Sequence, residues 1–396
     1  MSRPIERMTF RVLLIADNNP GVEMYKRGSS FTFQVTDVTR NASITPRENF
    51  GVVVVGSRLR EILQARINSL IRSPKGTYYG QIERMALYIA SLGIYTLKTI
   101  ITSLNAAREL NPDCVVAVWA VPNGLVASVV GVITGRVVII HTDGGDVDVL
   151  LSHVPVVALL RFFTGKGVKL TALDEERAMR LKRLLKSEPS VVRHFGVDTS
   201  VFRFFSFEKK RLWKAVAVSR LSEEKDIFTL LKAIILFSDE AREKDFHLFL
   251  VGSGPQEEAL TKFILKSEIG DIVTIMGFME HESIPHFLAD AAIFILPSRR
   301  EGMSSALLEG LSVGCVCLVS DIPPNTRIVS HRKNGLVFEK GNEFDLAKCL
   351  SEITSNVQLA RVLSTEGRRL IETNYTIQEA ESTLKDLVAK NIRHET

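Results

Sequence analysis

Cysteine is scarce in this chain of 396 residues, and the four present, Cys114, Cys315, Cys317 and Cys349, form no CxxC pair and no metal-ligand spacing. That excludes a disulfide scaffold and a zinc module. The cysteines read as small apolar core residues of a reducing compartment. No secretory leader is expected either, because the apolar run after Arg11 stops at Ala16, before Asp17. No low-complexity tract or 20–50-residue repeat is present, which excludes solenoids and propellers. Long apolar runs are rare too, with one exception. Val115 to Gly135 holds 21 residues without a charge, enough to cross a bilayer by length alone. Pro122-Asn123-Gly124 interrupts it with a turn signal, so the stretch reads as strand, turn, helix and strand.

What is present is an ordinary globular composition, 45% hydrophobic and 24% charged. The length predicts two domains. Short buried strands are expected at FRVLLIAD (10–17), GVVVVG (51–56), VVAVWAV (115–121) and VVII (137–140). Helices are expected around 58–75, 81–110 and 171–186. Charge clusters and the apolar pattern breaks at FSFEKKRLWK (205–214), which reads as a linker. Alternation then restarts, with VAVS, HLFLVG, VTIMG, AAIFIL and CVCLVSD separated by helices at 226–237, 255–267 and 282–288 and by a Glu309-bearing helix that starts near Ser304 or Ser305. Strands alternating with helices imply parallel sheets. The expected fold class is therefore α/β, with two Rossmann-like domains facing across a cleft. Residues 1–205 form the first and 206–375 the second. Residues 376–396 form a helix crossing back to the first.

The charge is lopsided. Residues 1–205 carry 26 Lys/Arg against 17 Asp/Glu, net +9, and residues 206–396 carry 24 against 28, net −4. Much of the excess sits on Arg58, Arg60, Arg66, Arg72 and Lys75, opposite a stripe of Leu59, Ile62, Leu63, Ile67, Leu70 and Ile71. This basic amphipathic helix is either the surface helix of a soluble domain or a helix lying on anionic lipid. Nucleic acid is the weaker partner, since no reading motif or exposed aromatics interleave the cations.

One stretch demands a chemical explanation. In PSRREGMSSALLEGLSVGCV (297–316), Glu301 and Glu309 stand eight residues apart around small residues. The flanking runs 291–296 and 315–319 have strand length, and Leu307, Leu308 and Leu311 recur at helical spacing before Gly314. Glu301 then falls in a loop at the carboxyl edge of a parallel sheet, where ligands bind, and Glu309 falls on the following helix. A capping box needs its acid three residues after Ser/Thr, and Ser305 to Glu309 is four. Free N–H groups of residues 302–305 make an anion site. Hydroxyl acceptors beside phosphate donors match the two ends of a nucleotide sugar.

Four ordered segments carry a resemblance. AVSRLSEEKD (217–226), LVGSGP (250–255), LPSRREGMSSALLEGLSVG (296–314) and NGLVFEKGN (334–342) are similar to the R-L-x-x-x-K, glycine-loop, E-x7-E and following-turn segments of glycosyltransferase family 4, which has the GT-B fold. In the first half, WAVPNGLVASVVGVITGRVVIIHTDGGDV (119–147) resembles the family's approach to an H-x-G-G-D loop. GVDTSVF (196–202) resembles its exit to the linker. The resemblance implies a retaining glycosyltransferase moving a sugar from a nucleoside diphosphate sugar to an acceptor hydroxyl of a glycolipid, polysaccharide or small molecule.

By the same resemblance Arg220 and Lys225 hold and neutralise the leaving diphosphate. Glu301 contacts the sugar, Glu309 the ribose, and His141 and Asp146 line the acceptor side. Gly252, Gly254, Gly277, Gly302, Met303 and Ser304 shape the nucleotide site. Asp146-Val147-Asp148 mimics a metal-binding DxD, but the resemblance implies no metal and no cofactor beyond the UDP-, GDP- or ADP-sugar itself. Ser219 and Asp226 stand where the family has glycine, and the glycine turn after the first strand is reduced to Asn18-Asn19-Pro20-Gly21. The expected setting is cytoplasmic, with an anionic membrane surface as a candidate partner and no nucleic acid. Two alternatives stay open at this point: an epimerase on the same fold, which needs no acceptor, and a non-catalytic sugar-nucleotide-binding protein.

Overall fold

A computed structural model describes residues 12–15, 33–37, 52–56, 96–142, 154–192 and 196–393. The 58–75 segment and Asp146 lie outside the described residues. Packing divides the chain into two units, residues 1–193 with 380–396 and residues 194–379.

In the first unit, β1 (Val12–Ile15), β4 (Cys114–Val118), β5 (Val137–His141), β6 (Lys169–Ala172) and β7 (Ser190–Val191) form one sheet in that order, every pair parallel. Strands β2 (Phe33–Asp37) and β3 (Val52–Gly56) form a separate parallel pair. β4 and β5 are buried along their whole length, as unbroken apolar runs must be when helices cover both faces. The helices are α1 (96–110), α2 (Leu125–Thr134), α3 (Val154–Gly165) and α4 (Glu175–Leu185). The charge-free run at 115–135 is thus strand, turn and helix. Among the described residues no helix is long and apolar enough to cross a membrane. Thr171 and Ala172, expected in the fourth helix, belong to β6. The helix starts at Glu175 because the Asp174 carboxylate accepts the Arg177 N–H as its N-cap.

In the second unit a six-stranded parallel sheet has the order β10-β9-β8-β11-β12-β13. The strands are β8 (Arg211–Val218), β9 (His247–Val251), β10 (Val273–Gly277), β11 (Ala291–Leu296), β12 (Val316–Ser320) and β13 (Leu336–Phe338). Renumbered within the unit this is 3-2-1-4-5-6, so the winding direction reverses between β8 and β11, the place where a doubly wound sheet opens a crevice at its carboxyl edge. The helices are α5 (Ile227–Leu236), α6 (Ser238–Glu243), α7 (Glu257–Lys266), α8 (Ile284–Ala289), α9 (Ser305–Ser312), α10 (Pro323–Thr326), α11 (Glu343–Ser355) and α12 (Val357–Asn374), and α13 (Ile377–Arg393) begins in this unit and from Ala380 onward belongs to the first.

Two expectations need correction here. The unit boundary falls at 193/194 rather than 205/206. Val197 exchanges backbone hydrogen bonds with Tyr375 and Ile377, and Phe202 is buried in the second unit's core. Gly196 (φ +80°) permits that join, since a Cβ there would stand 2.4 Å from the Thr376 carbonyl oxygen. The supposed linker at 205–214 also contains the start of β8. Between Arg211 and Ala215 the register against β11 slips, and Trp213 has a φ of +72°. This bulge breaks the apolar alternation that marks a strand.

Helix α9 lies close on β11 because Gly310 faces the Phe294 ring, and a methyl group added at Gly310 would stand 2.8 Å from the ring's Cγ. Gly310→Ala should therefore destabilise the chain by about 1–3 kcal/mol through overpacking. Urea unfolding checks this, and an unchanged midpoint would mean the ring yields freely.

Candidate active site

The candidate site is built from loops at the carboxyl edge of the second unit's sheet. The first, after β8, runs through Arg220 into a short 3-10 turn at Glu223–Lys225 and ends at Asp226. Asp226 sits in the left-handed region (φ 50°, ψ 44°), which explains why glycine is the residue found here in the resembling family. Asp is among the few side chains tolerated there. Its buried carboxylate accepts from Thr229 Oγ1 at 2.8 Å and from Arg299 Nε at 2.8 Å. The backbone N–H of Arg299 in turn donates to the Glu224 carbonyl at 2.8 Å. Two contacts from one residue thus fasten the loop after β11 to the loop after β8.

That fastening brings Lys225 against Glu301. Lys225 Nζ donates to Glu301 Oε1 at 2.6 Å, and Ser298 Oγ donates to the same oxygen at 2.6 Å. Glu301 is nearly buried, with its side chain 7% exposed, so the pair is charge-assisted and partly shielded from water. Ser298 is itself fully buried, and its carbonyl accepts from Ser320 Oγ at 2.6 Å. The end of β12 therefore supports the loop from beneath. Arg220 is exposed on the same loop as Lys225. Glu224 is held below the usual carboxylate range, first by the Ser222 hydroxyl and its own backbone N–H, with the charges of Arg220 and Lys225 adding.

The glycines of the second loop, after β9, have a reason internal to the protein. Gly252 has a φ of +135°, and a Cβ on it would lie 1.9 Å from the Ser219 carbonyl oxygen. One on Gly254 would lie 2.3 Å from that of Leu221. Leu221 N–H donates to Ser253 O at 2.9 Å, and Gln256 N–H donates to Leu221 O at 3.0 Å. The expected close approach of backbone is thus made first to the β8 loop. The Gly277 carbonyl (φ +72°) accepts the Gly252 N–H at 2.8 Å, and a Cβ on Gly277 would meet open space.

Ser304 caps α9, its hydroxyl accepting from Leu307 N–H at 3.3 Å, with Gly302 and Met303 half-buried just ahead. Glu309, one turn in, is buried, and His281 Nε2 lies 3.0 Å from its Oε1. Neither His281 nor Ser298 stands out in the sequence. The signal for His281 is weak, a lone histidine four residues past Gly277. Ser298, three residues before Glu301, is hidden among loop serines.

His141 belongs to the other unit. At the end of β5 it is buried, its Nδ1 in hydrogen-bond contact with Thr171 Oγ1 on β6. Among the described residues no group of three or more His, Cys, Asp or Glu could hold a metal ion. The four cysteines are free and buried, and burial pushes their thiol pKa values up, that of Cys349 to about 12.

Comparisons with known proteins agree with this architecture. The two helix-wound parallel sheets are the Rossmann-like domains of the GT-B fold. A crystal structure of Anabaena Alr3699/HepE in complex with UDP superposes with a TM-score of 0.67 at 12% identity, covering 96% of this chain and 100% of that one. Sucrose-phosphate synthase from Thermosynechococcus elongatus gives 0.65 at 14% identity, covering 96% and 98%. At such identities these likenesses show the fold alone. Residues 198–370 match the family described as glycosyl transferases group 1.

Among relatives, the putative teichuronic acid biosynthesis glycosyltransferase TuaC of Bacillus subtilis is 29% identical over 227 residues, 54% of this chain and 54% of its own. A GDP-mannose-dependent alpha-(1-6)-phosphatidylinositol monomannoside mannosyltransferase of Mycobacterium tuberculosis is 26% identical over 209 residues, 49% of this chain and 54% of its own. The chain spans about half the length of these relatives.

The clasp at Asp226 yields a test. Asp226→Ala loses two hydrogen bonds and keeps a side chain in the left-handed region, so it should cost about 2–4 kcal/mol. Asp226→Gly loses the same bonds but relieves the backbone, and should cost less. Guanidinium unfolding of both variants checks the order. Equal losses would show that the backbone conformation carries no strain.

Proposed function

We propose that this protein is a nucleotide-sugar-dependent glycosyltransferase that retains anomeric configuration. The observation that carries the proposal is the convergence of Arg220, Lys225, Glu301 and Glu309 on the carboxyl edge of one sheet, around its winding reversal between β8 and β11. The relatives' names, which include transferases of several sugars, support the same class of reaction.

In this reading Arg220 and Lys225 meet the diphosphate of the donor. Breaking the bond from the anomeric carbon to the phosphate oxygen leaves negative charge on the departing nucleoside diphosphate, and preorganised cations lower the energy of that state. Lys225 is already fixed by Glu301, so its ammonium need not be reorganised when charge develops. Glu301 orients a hydroxyl of the transferred sugar and Glu309 the ribose, with His281 fixing the Glu309 carboxylate. The acceptor hydroxyl attacks the same face the phosphate leaves, and the departing phosphate oxygen takes its proton. The protein's carboxylates orient and do not attack. The donor is a UDP-, GDP- or ADP-sugar, and the acceptor is a hydroxyl of a glycan, lipid or small molecule.

Arg220→Ala and Lys225→Ala should each lower kcat/KM about 10²–10³-fold, the scale for losing one preorganised group. Glu309→Gln should instead weaken nucleoside diphosphate binding with kcat nearly kept, because ribose contacts persist from ground state to transition state. Steady-state transfer rates beside calorimetric affinities separate the two. Unchanged transfer in both cation variants would contradict the proposal.

A further inference from the structure

The first unit carries a surface that the donor chemistry does not use. A recess of about 240 Å³ lies where the end of α2 meets the end of α3, lined by Val132, Arg136, Lys166 and Val168 among others. This is the amino end of β5, opposite the edge where His141 sits. Large apolar side chains stand exposed beside it: Val132 at 52%, Leu159 at 42% and Phe162 at 57%. They are contiguous with the recess, since Val132 and Lys166 both line it and Lys166 Nζ lies 5.9 Å over the Phe162 ring. Leu159 and Phe162 are three apart on α3 and share its outer face. Single exposed apolar residues need no explanation, but a patch rimmed by charge does.

The charged side chains that line the recess, Arg136 and Lys166, are both cations. Between Asp113 and Asp143, and again between Asp148 and Asp174, the chain contains no Asp or Glu, while Arg136, Arg161, Lys166 and Lys169 fall in those two stretches. The acidic group nearest in sequence to the recess's polar contact is Asp113, two residues past Asn111, whose Oδ1 accepts from Arg136. Gly135, Gly165 and Gly167 leave the surrounding turns open, since a Cβ on any of them would meet nothing within 4 Å.

We infer that this face is a docking surface for an anionic lipid bilayer. Phe162, Leu159 and Val132 enter the boundary between headgroups and acyl chains, and Arg136 and Lys166 meet lipid phosphates in the recess. Charge complementarity selects this occupant, because exposed apolar side chains beside a recess whose charged lining residues are Arg136 and Lys166 match a surface that is apolar within and anionic at its rim. The proposal uses none of residues 58–75 and is independent of the donor-site reading.

The test is sedimentation of the full chain with vesicles of phosphatidylcholine alone and of equimolar phosphatidylcholine and phosphatidylglycerol at low salt. Binding is expected on the anionic vesicles only. The double variant Arg136→Gln/Lys166→Gln should lower the partition coefficient roughly 30-fold, and Leu159→Ser/Phe162→Ser by more than about tenfold. Phe162→Trp supplies a second readout that needs no loss of function, a blue shift of its added tryptophan fluorescence on anionic vesicles. Absence of sedimentation, equal binding to neutral vesicles, wild-type partition of both double variants, or an unshifted spectrum of the Phe162→Trp variant would each overturn the inference.

Discussion

The ion pair between Lys225 and Glu301 joins two residues 76 apart in sequence, and the arrangement of the candidate site depends on it. A nearly buried carboxylate is costly unless paired and hydrogen-bonded, and the two loops, closed on each other, supply Glu301 with both partners. They can do so because β8 and β11 are neighbours only at the point where the sheet reverses its winding. The other contacts serve that closure. Arg299 clasps Asp226 and the Glu224 carbonyl, Ser298 shares the Glu301 oxygen, and Ser320 supports Ser298 from β12. The glycines at 252 and 254 let a third loop nest against the backbone of the first. The result is a cation held in place before any ligand arrives, the condition under which electrostatic stabilisation contributes most to a rate.

Much of the second unit was legible from residues alone. Unbroken apolar runs such as AAIFIL and CVCLV can only be buried parallel strands when helical periodicity lies between them, and both are. The spacing of Glu301 and Glu309 pointed to a loop and the helix after it, which is where they fall. What could not be read was pairing across the sheet. That Glu301 would meet Lys225, that Asp226 would replace a glycine by binding Thr229 and Arg299, and that His281 would reach Glu309 all follow from strand order, and strand order is non-local. The start of β8 was missed for a local reason, since a bulge at Trp213 shifts the side-chain period that marks a strand.

The first unit shows the opposite balance. Its charge-free stretch at 115–135 resolves into strand, turn and helix, as Pro122-Asn123-Gly124 signalled. His141, chosen through its resemblance to a known loop, is buried against Thr171. The outer faces of α2 and α3 gave no periodic signal, because α3 is apolar on nearly every side. Only folding separates Leu160 and Phe163, which are buried, from Leu159 and Phe162, which are not.

The central claim is that the carboxyl edge of the second unit binds a nucleoside diphosphate sugar. Thermal unfolding of the full chain with UDP-, GDP- and ADP-sugars tests it most directly, since a ligand bound only by the folded state stabilises it by linkage. At a hundred times its Kd, one of the three should add about 2.7 kcal/mol, and Glu309→Gln should reduce that gain at the same concentration. No stabilisation by any of the three, at concentrations up to the millimolar range, would contradict the claim.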